Sequence, residues 1–225
     1  MKKSLGRHEI KHYINYSDYV QLKARLPCVC KEDANMIAGK GYRVRSLYFD
    51  NCYDKALIEK INGVNEREKF RLRLYNADTS FIRLEKKSKI NGICYKRSTV
   101  INEKMCADIL NGDYSSLKES SNPLLLEFYA KINFVLLRPK NIVDYQREAY
   151  VFLAGNIRIT IDTDIKSCFD TMSFLKEDII SVPVQGSNIL EVKYDAFLPE
   201  IIRGIVSLSS RRQSSFSKYA ATRII

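Results

Sequence analysis

Residues 67–75 read Arg67-Glu68-Lys69-Phe70-Arg71-Leu72-Arg73-Leu74-Tyr75. Successive side chains of a β-strand point to opposite faces. Arg67, Lys69, Arg71 and Arg73 therefore share one face, with Phe70, Leu72 and Leu74 on the other. Cations lined up along one face repel one another unless something anionic lies between them. A single strand of this kind needs no explanation beyond solvation. Its repetition along the chain does.

The same alternation recurs in four other stretches. Arg7, Glu9 and Lys11 share a face in GRHEIKHYI, and Arg83, Glu85 and Lys87 share one opposite Ile82 and Leu84. Arg158, Thr160 and Asp162 alternate with Ile157, Ile159 and Ile161, and Glu191 and Lys193 with Leu190, Val192 and Tyr194. Each strand thus has a charged face with many cations and few carboxylates, and an apolar one. Rolling such a sheet with its charged faces inward makes a basic lumen holding a few acids, and the apolar faces then require helices outside.

The bulk properties agree. The chain has 225 residues and 45% hydrophobic content, enough for a substantial core. Its 37 Lys and Arg against 26 acids give a formal charge of +11, which calls for an anionic partner: nucleic acid, an anionic membrane surface or a polyphosphorylated ligand. No apolar run approaches the roughly 18 residues of a spanning helix, and the lysines of MKKSLGRHEI precede no hydrophobic segment, so no secretory signal is expected. Six scattered cysteines and two histidines, His8 and His12, make a zinc site a poor reading and free thiols in a cytoplasmic protein a good one.

Taken in order, Ser17 is placed to cap a helix carrying Tyr19, Leu22 and Leu26, which Pro27 stops. A polar loop leads into YRVRSLYFDN, and Asp50 is read as the cap of a short element over 53–61. Asn91-Gly92 signals a tight hairpin. Asn102 caps one helix, and Asn122-Pro123 opens another that Pro139 closes. Two strands joined at Gly155-Asn156, a mixed loop over 166–188, the Glu191 strand and a helix after Pro199 complete the chain. With no repeat or linker, residues 1–225 read as one α+β domain: an antiparallel eight-stranded β tunnel with helices packed outside.

These motifs have a specific order: R-x-E-x-K at 7–11, S-x-Y-F-D at 46–50, R-x-K-x-R-x-R-x-Y at 67–75, L-E-x-K at 84–87, K-R at 96–97, Y-x-R-x-A at 145–149, R-x-T-x-D at 158–162, L-E-x-K at 190–193 and S-K-Y at 217–219. The series resembles the VTC domain, the polyphosphate polymerase domain of the vacuolar transporter chaperone complex. That domain is one of the triphosphate tunnel metalloenzymes, which also include CYTH-type triphosphatases and adenylate cyclases. The resemblance implies a transferase that moves the γ-phosphate of ATP onto a polyphosphate chain. Lys11, Arg71, Arg73, Lys87, Lys96, Arg147, Arg158 and Lys218 look like its catalytic cations, and Lys69, Tyr145, Lys193 and Ser217 like its further substrate contacts. It implies a divalent metal, Mn2+ or Mg2+, on Glu191 with Glu85 and Glu9 as helpers, and it leaves room for a membrane-protein partner. The CYTH branch opens on E-x-E-x-K, whereas Arg7 stands first here, which favours the VTC branch.

The chemistry matches the residue types. Lysine supplies compact charge, and arginine a fork for two non-bridging phosphate oxygens. Phosphoryl transfer asks for in-line positioning and charge neutralisation more than covalent help, and a tunnel open at both ends lets a growing chain leave without dissociating. Structural readings compete at several positions. Glu85 and Glu9 also read as ion-pair partners, Asp162 as a hydrogen-bonding residue of its hairpin, and Tyr48, Tyr75 and Tyr145 as packing residues. Two other functions use the same lumen: a triphosphatase or polyphosphatase, and a polyphosphate-binding module without turnover. Nucleic acid is disfavoured, because the aromatics beside the cations fall mostly on the apolar parity.

Overall fold

The computed structural model describes residues 6–36, 39–186, 188–208 and 213–223. The strands are β1 (His8–Ile14), β2 (Lys31–Glu32), β3 (Tyr42–Asp50), β4 (Arg67–Tyr75), β5 (Asp78–Ile90), β6 (Ile93–Ile101), β7 (Arg138–Phe152), β8 (Ile157–Cys168), β9 (Val182–Pro183) and β10 (Asn188–Tyr194). Eight of them form one curled antiparallel sheet in the order β1-β10-β8-β7-β3-β4-β5-β6, with the two-residue β2 and β9 attached to β7 and β8. The two ends of this path meet where Arg7 and Cys94 exchange backbone hydrogen bonds of 3.2 and 3.4 Å. The result is the expected tunnel-like α+β architecture.

The helices are α1 (Tyr16–Arg25), α2 (Lys55–Ile61), α3 (Glu103–Leu110), α4 (Ser115–Lys118), α5 (Pro123–Phe134), α6 (Glu200–Val206) and α7 (Lys218–Ala221). Their starts follow local chemistry. Asn102 Oδ1 accepts from the Met105 amide at 2.8 Å, and Asn122 Oδ1 from Leu124 at 2.9 Å with Pro123 in the first helical position. Asp50 accepts from the amides of Ala56 and Leu57, so it does serve the start of α2. The cap of α1 is Asn15 rather than Ser17. Asn15 and Asp18 bond each other's amides reciprocally, satisfying two otherwise orphaned donors, while Ser17, two residues on, already lies within the first turn. Pro27 does not end the helical path; it sits inside a 3₁₀ turn, Leu26–Cys28, that extends it. Pro139 likewise lies within β7 instead of closing α5.

The apolar faces point outward and are covered by helices. Phe70, Leu72 and Leu74 of β4 are almost fully buried, in one cluster with Leu47, Phe49, Ile82, Leu84, Ile109 and Phe128. Phe128 of α5 meets Phe49 edge-on at 4.9 Å and stacks on Phe70 at 5.2 Å. Burying each such side chain is worth about 1.5–3 kcal/mol. A second cluster joins Leu22 and Leu26 to Ile159, Ile161, Leu190, Val192 and Ile202 under α1 and α6. With both greasy faces committed outward, the charged faces have only the lumen left. Among the described residues, no helix is long and apolar enough to cross a membrane, and the six cysteines are free thiols.

The arginines of β3, Arg43 and Arg45, depart from this rule. Arg45 lies on the outer parity of β3 and is completely buried. Its Nε donates to Asp144 at 3.0 Å, and its other nitrogens donate to the carbonyls of Phe174, Lys176 and Glu177. It clamps the segment after β8 to the outside of the sheet.

Candidate active site

Inside the barrel, eight cations share four carboxylates. Glu85 of β5 is 1% exposed and receives Arg71 at 2.6 Å, Arg73 at 3.7 Å and the Lys96 ammonium. Glu9 of β1 lies 2.7 Å from both Lys11 and Lys87. Glu191 of β10 takes Lys11 at 3.4 Å and the Lys193 ammonium. Asp162 of β8 accepts both forks of Arg147, at 2.6 and 2.8 Å, and the Lys218 ammonium from α7. Burial on its own raises a carboxyl's pKa. The surrounding cations more than reverse it here, holding Glu9, Glu85 and Glu191 well below the usual carboxylate range and Asp162 down at about 2.

Two tyrosines belong to this network, although alternation alone reads them as packing. Tyr145 accepts from Arg73 at 3.1 Å and lies under Lys218, 4.8 Å from its ring centre. Tyr48 accepts from Arg71 at 3.0 Å and stacks on Tyr219 of α7 at 5.1 Å. Tyr219 in turn donates to Asp50 at 2.8 Å, so the helix-capping carboxylate also anchors the C-terminal helix.

That helix changes the shape of the lumen. Ser217 caps α7 by accepting from Ala220, which turns Lys218 inward to Asp162. Beyond it, buried Thr222 bonds Asn141 at 2.8 Å and the Ser167 hydroxyl. The part of the barrel beneath β3, β7 and β8 is thus filled by the protein's own chain, and at this end the tunnel is not simply open. Beside α7 remains a cavity of about 130 Å3, lined by Lys11, Lys69 and Lys87 within and Lys60, Arg67 and Lys89 at its rim. Ser214, Ser215 and Ser217 line it from the C-terminal segment, and Glu9 and Glu68 are its carboxylates.

A sequence model of the VTC domain matches residues 6–224. The chain belongs to the VTC domain family. No curated protein matches it. Among solved structures, a candidate adenylate cyclase from Bacillus halodurans superposes with a TM-score of 0.55 at 12% identity, over 91% of this chain and 87% of its own. The PH1819 protein of Pyrococcus horikoshii OT3 superposes at 0.50 and 11% identity, over 95% and 96%. At that identity the two structures share the fold with this VTC-domain chain, a tunnel-like curled sheet.

Most of the cations expected from sequence do converge: Lys11, Lys69, Arg71, Arg73, Lys87, Lys96, Arg147, Lys193 and Lys218 are tied to the lumen through the contacts above. Arg158 reaches only its rim, bonded to Tyr42 at 3.0 Å and paired with Asp33 at 3.1 Å. Arg7 pairs with Asp195 at 2.9 Å. The carboxylates divide. Glu9 and Glu191 are joined through Lys11, while Glu85 is taken up by its own three cations. Among the described residues no group of three or more His, Cys, Asp or Glu side chains forms a metal cluster. For a divalent cation the fitting donors are therefore Glu191 and Glu9. Directly across the strand pair from Glu191, the buried Thr160 Oγ1 has no hydrogen-bond partner. Two carboxylates and a hydroxyl, completed by phosphate oxygens, suit a hard cation.

Proposed function

We propose that this VTC-domain protein is a polyphosphate polymerase, transferring the γ-phosphate of ATP to a growing polyphosphate chain inside the tunnel. The length of the cation track carries this reading. From Arg73 in the interior to Arg67 at the rim, β4 alone lays charge along about 20 Å, at roughly 3.3 Å of rise per residue, and Lys60 and Lys89 continue it at the mouth. A triphosphate is shorter than this track; a phosphate chain fills it.

The roles follow from position. Arg71 and Arg73 are held extended by Glu85, Tyr48 and Tyr145, and their forks are preorganised for non-bridging oxygens. Arg147 and Lys218, fixed by Asp162, stand where charge on the moving phosphoryl group needs neutralising. Lys11, Lys87 and Lys193 orient the substrate on the opposite wall, with Lys96, Lys69 and Ser217 nearby. Glu191 and Glu9 are the residues that would hold Mn2+ or Mg2+, which when bound would supply charge neutralisation for the transferred phosphoryl group. Lys11 and Lys193 hold that place by charge otherwise.

Incubation with ATP and a manganese salt, with products resolved by length, tests the proposal. Long-chain polyphosphate is expected; orthophosphate alone makes the protein a triphosphatase of the same fold. Glu191→Gln is expected to bind tripolyphosphate and to synthesise nothing from ATP. Near-normal synthesis by that variant removes Glu191 from the metal site.

A further inference from the structure

The cavity beside α7 carries charge that the protein leaves unpaired, and a hydroxyl stands within it. Both of its carboxylates are engaged, Glu9 by Lys11 and Lys87, and Glu68 by Lys86 and Lys131. Lys60, Arg67, Lys69 and Lys89 also line it, and they have no carboxylate partner among the described residues. Lys69 is bonded to a hydroxyl instead: its Nζ lies 3.5 Å from Ser217 Oγ. That oxygen accepts the Ala220 amide at 3.4 Å, which leaves the hydroxyl proton free to point at Lys69. The chain on either side is pinned. The Ser214 amide donates to the Lys11 carbonyl at 2.8 Å, Lys11 Nζ donates to the Phe216 carbonyl at 3.2 Å, and Lys218 is held by Asp162. A fixed hydroxyl, a lysine beside it and a set of unclaimed cations thus meet in one cavity.

We propose that Ser217 is the first acceptor of the tunnel: its hydroxyl takes a phosphoryl group from ATP, and a phosphate chain then grows covalently anchored to the C-terminal segment. This rests on the polymerase reading and names the group on which a chain begins. The bond from Ser217 Oγ to the γ-phosphorus forms as the bond from that phosphorus to the β,γ-bridging oxygen breaks. ADP leaves with the electron pair, and the hydroxyl proton passes to Lys69 Nζ. In the next round a terminal oxygen of the phosphoserine attacks another γ-phosphorus in the same way, and each round releases one ADP. A serine hydroxyl is a weak nucleophile until an adjacent base takes its proton, and a lysine does so when it is held unprotonated. Burial and the like charges of Lys87, Lys11 and Arg71 bring Lys69 down to about 7, in keeping with that role. The phosphoserine would lie against Lys69, with Lys60, Arg67 and Lys89 at the rim to receive the growing chain.

The test incubates the full chain with ATP and a manganese salt, denatures it to strip phosphate that is not covalently held, and follows intact mass and peptide mapping. Wild type is expected to gain whole phosphoryl groups, mapped to Ser217. Ser217→Asn keeps a side chain that caps a helix but has no hydroxyl. It is expected to fold, as thermal melts would show, and to lose the label completely, whereas Ser217→Thr keeps both features and retains the label. Added tripolyphosphate, an acceptor that bypasses the anchor, is expected to shorten the lag before synthesis more in Ser217→Asn than in wild type. The wild-type mapping decides even where a variant is unstable. Polyphosphate made from ATP by wild-type protein that carries no covalent phosphate overturns the anchor and leaves the polymerase reading intact. A label on Ser214 or Ser215 alone, or one undiminished in Ser217→Asn, overturns the role of Ser217. Absence of both polyphosphate and label from the wild-type protein overturns both readings.

Discussion

Replacing Glu85 by Gln separates an ion-pair role from a metal-binding one. Glu85 is 1% exposed and neutralises Arg71, Arg73 and Lys96. Gln keeps its size and its hydrogen-bonding oxygen but removes the charge. Breaking a buried pair by deleting one partner costs about 3–5 kcal/mol, because the other charges stay buried without compensation. In a chain of this size each kcal/mol moves Tm by about 2–4 °C, so the empty variant should melt about 6–20 °C below wild type. The same change leaves three cations free to receive phosphate. Tripolyphosphate at a hundred times its Kd adds about 2.7 kcal/mol to any protein that binds it only when folded, and the variant should bind at least as tightly as wild type. The prediction is therefore a large destabilisation that ligand repairs, read by thermal melts with and without tripolyphosphate at matched ionic strength. The pH dependence has a definite sign. Because its cations hold Glu85 below the usual range, its contribution is in place above about pH 4 and drains away as pH falls. Glu85→Gln should lack that part of the acid sensitivity. Unchanged melting together with weaker tripolyphosphate binding would refute the reasoning and return Glu85 to the metal site.

Two further substitutions test the division between lumen and outer wall. Arg71→Ala should weaken tripolyphosphate binding by roughly 1.5–3 kcal/mol, the scale of a charge-assisted hydrogen bond, while leaving the outer apolar clusters folded; isothermal titration at fixed salt measures it, and wild-type affinity would contradict the tunnel site. Arg45→Met should cost about 1–3 kcal/mol of stability, by leaving the carbonyls of Phe174 and Lys176 without that donor while Arg43 continues to hold Asp144 and the Glu177 carbonyl. Its tripolyphosphate affinity should be unchanged because Arg45 is on the outer side of β3, and a selective loss of affinity in denaturation-corrected titrations would place it in the site.

Much of this protein is written in its alternation. A period of two puts Arg67, Lys69, Arg71 and Arg73 on one face whatever the partners of β4 are. The length of Phe70, Leu72 and Leu74 as an apolar row then decides which face must meet helices, because only that face gains by leaving water. The caps at Asn102 and Asn122 are equally local, each set by a side chain and amides two or three residues away, and the Asn15–Asp18 capping box was available on the same grounds. What alternation does not carry is sign of direction and pairing across the sheet. Arg43 and Arg45 alternate as regularly as the lumen cations, yet they point outward, because inward burial at Tyr42, Ser46 and Tyr48 is fixed by Arg158, Arg73 and Arg71 reaching them from other strands. The division of the carboxylates is a matter of closure. Glu9 meets Lys87 only because the first and last strands of the path approach each other, and Asp162 meets Lys218 only because α7 returns into the barrel. These two contacts join residues 78 and 56 positions apart, and no local rule fixes them. Sequence determined that a basic lumen exists. The tertiary structure decided which cations are already neutralised within it, and that among the described residues Lys69 is left without a carboxylate, because that depends on strand register and on where the C-terminal helix comes to rest.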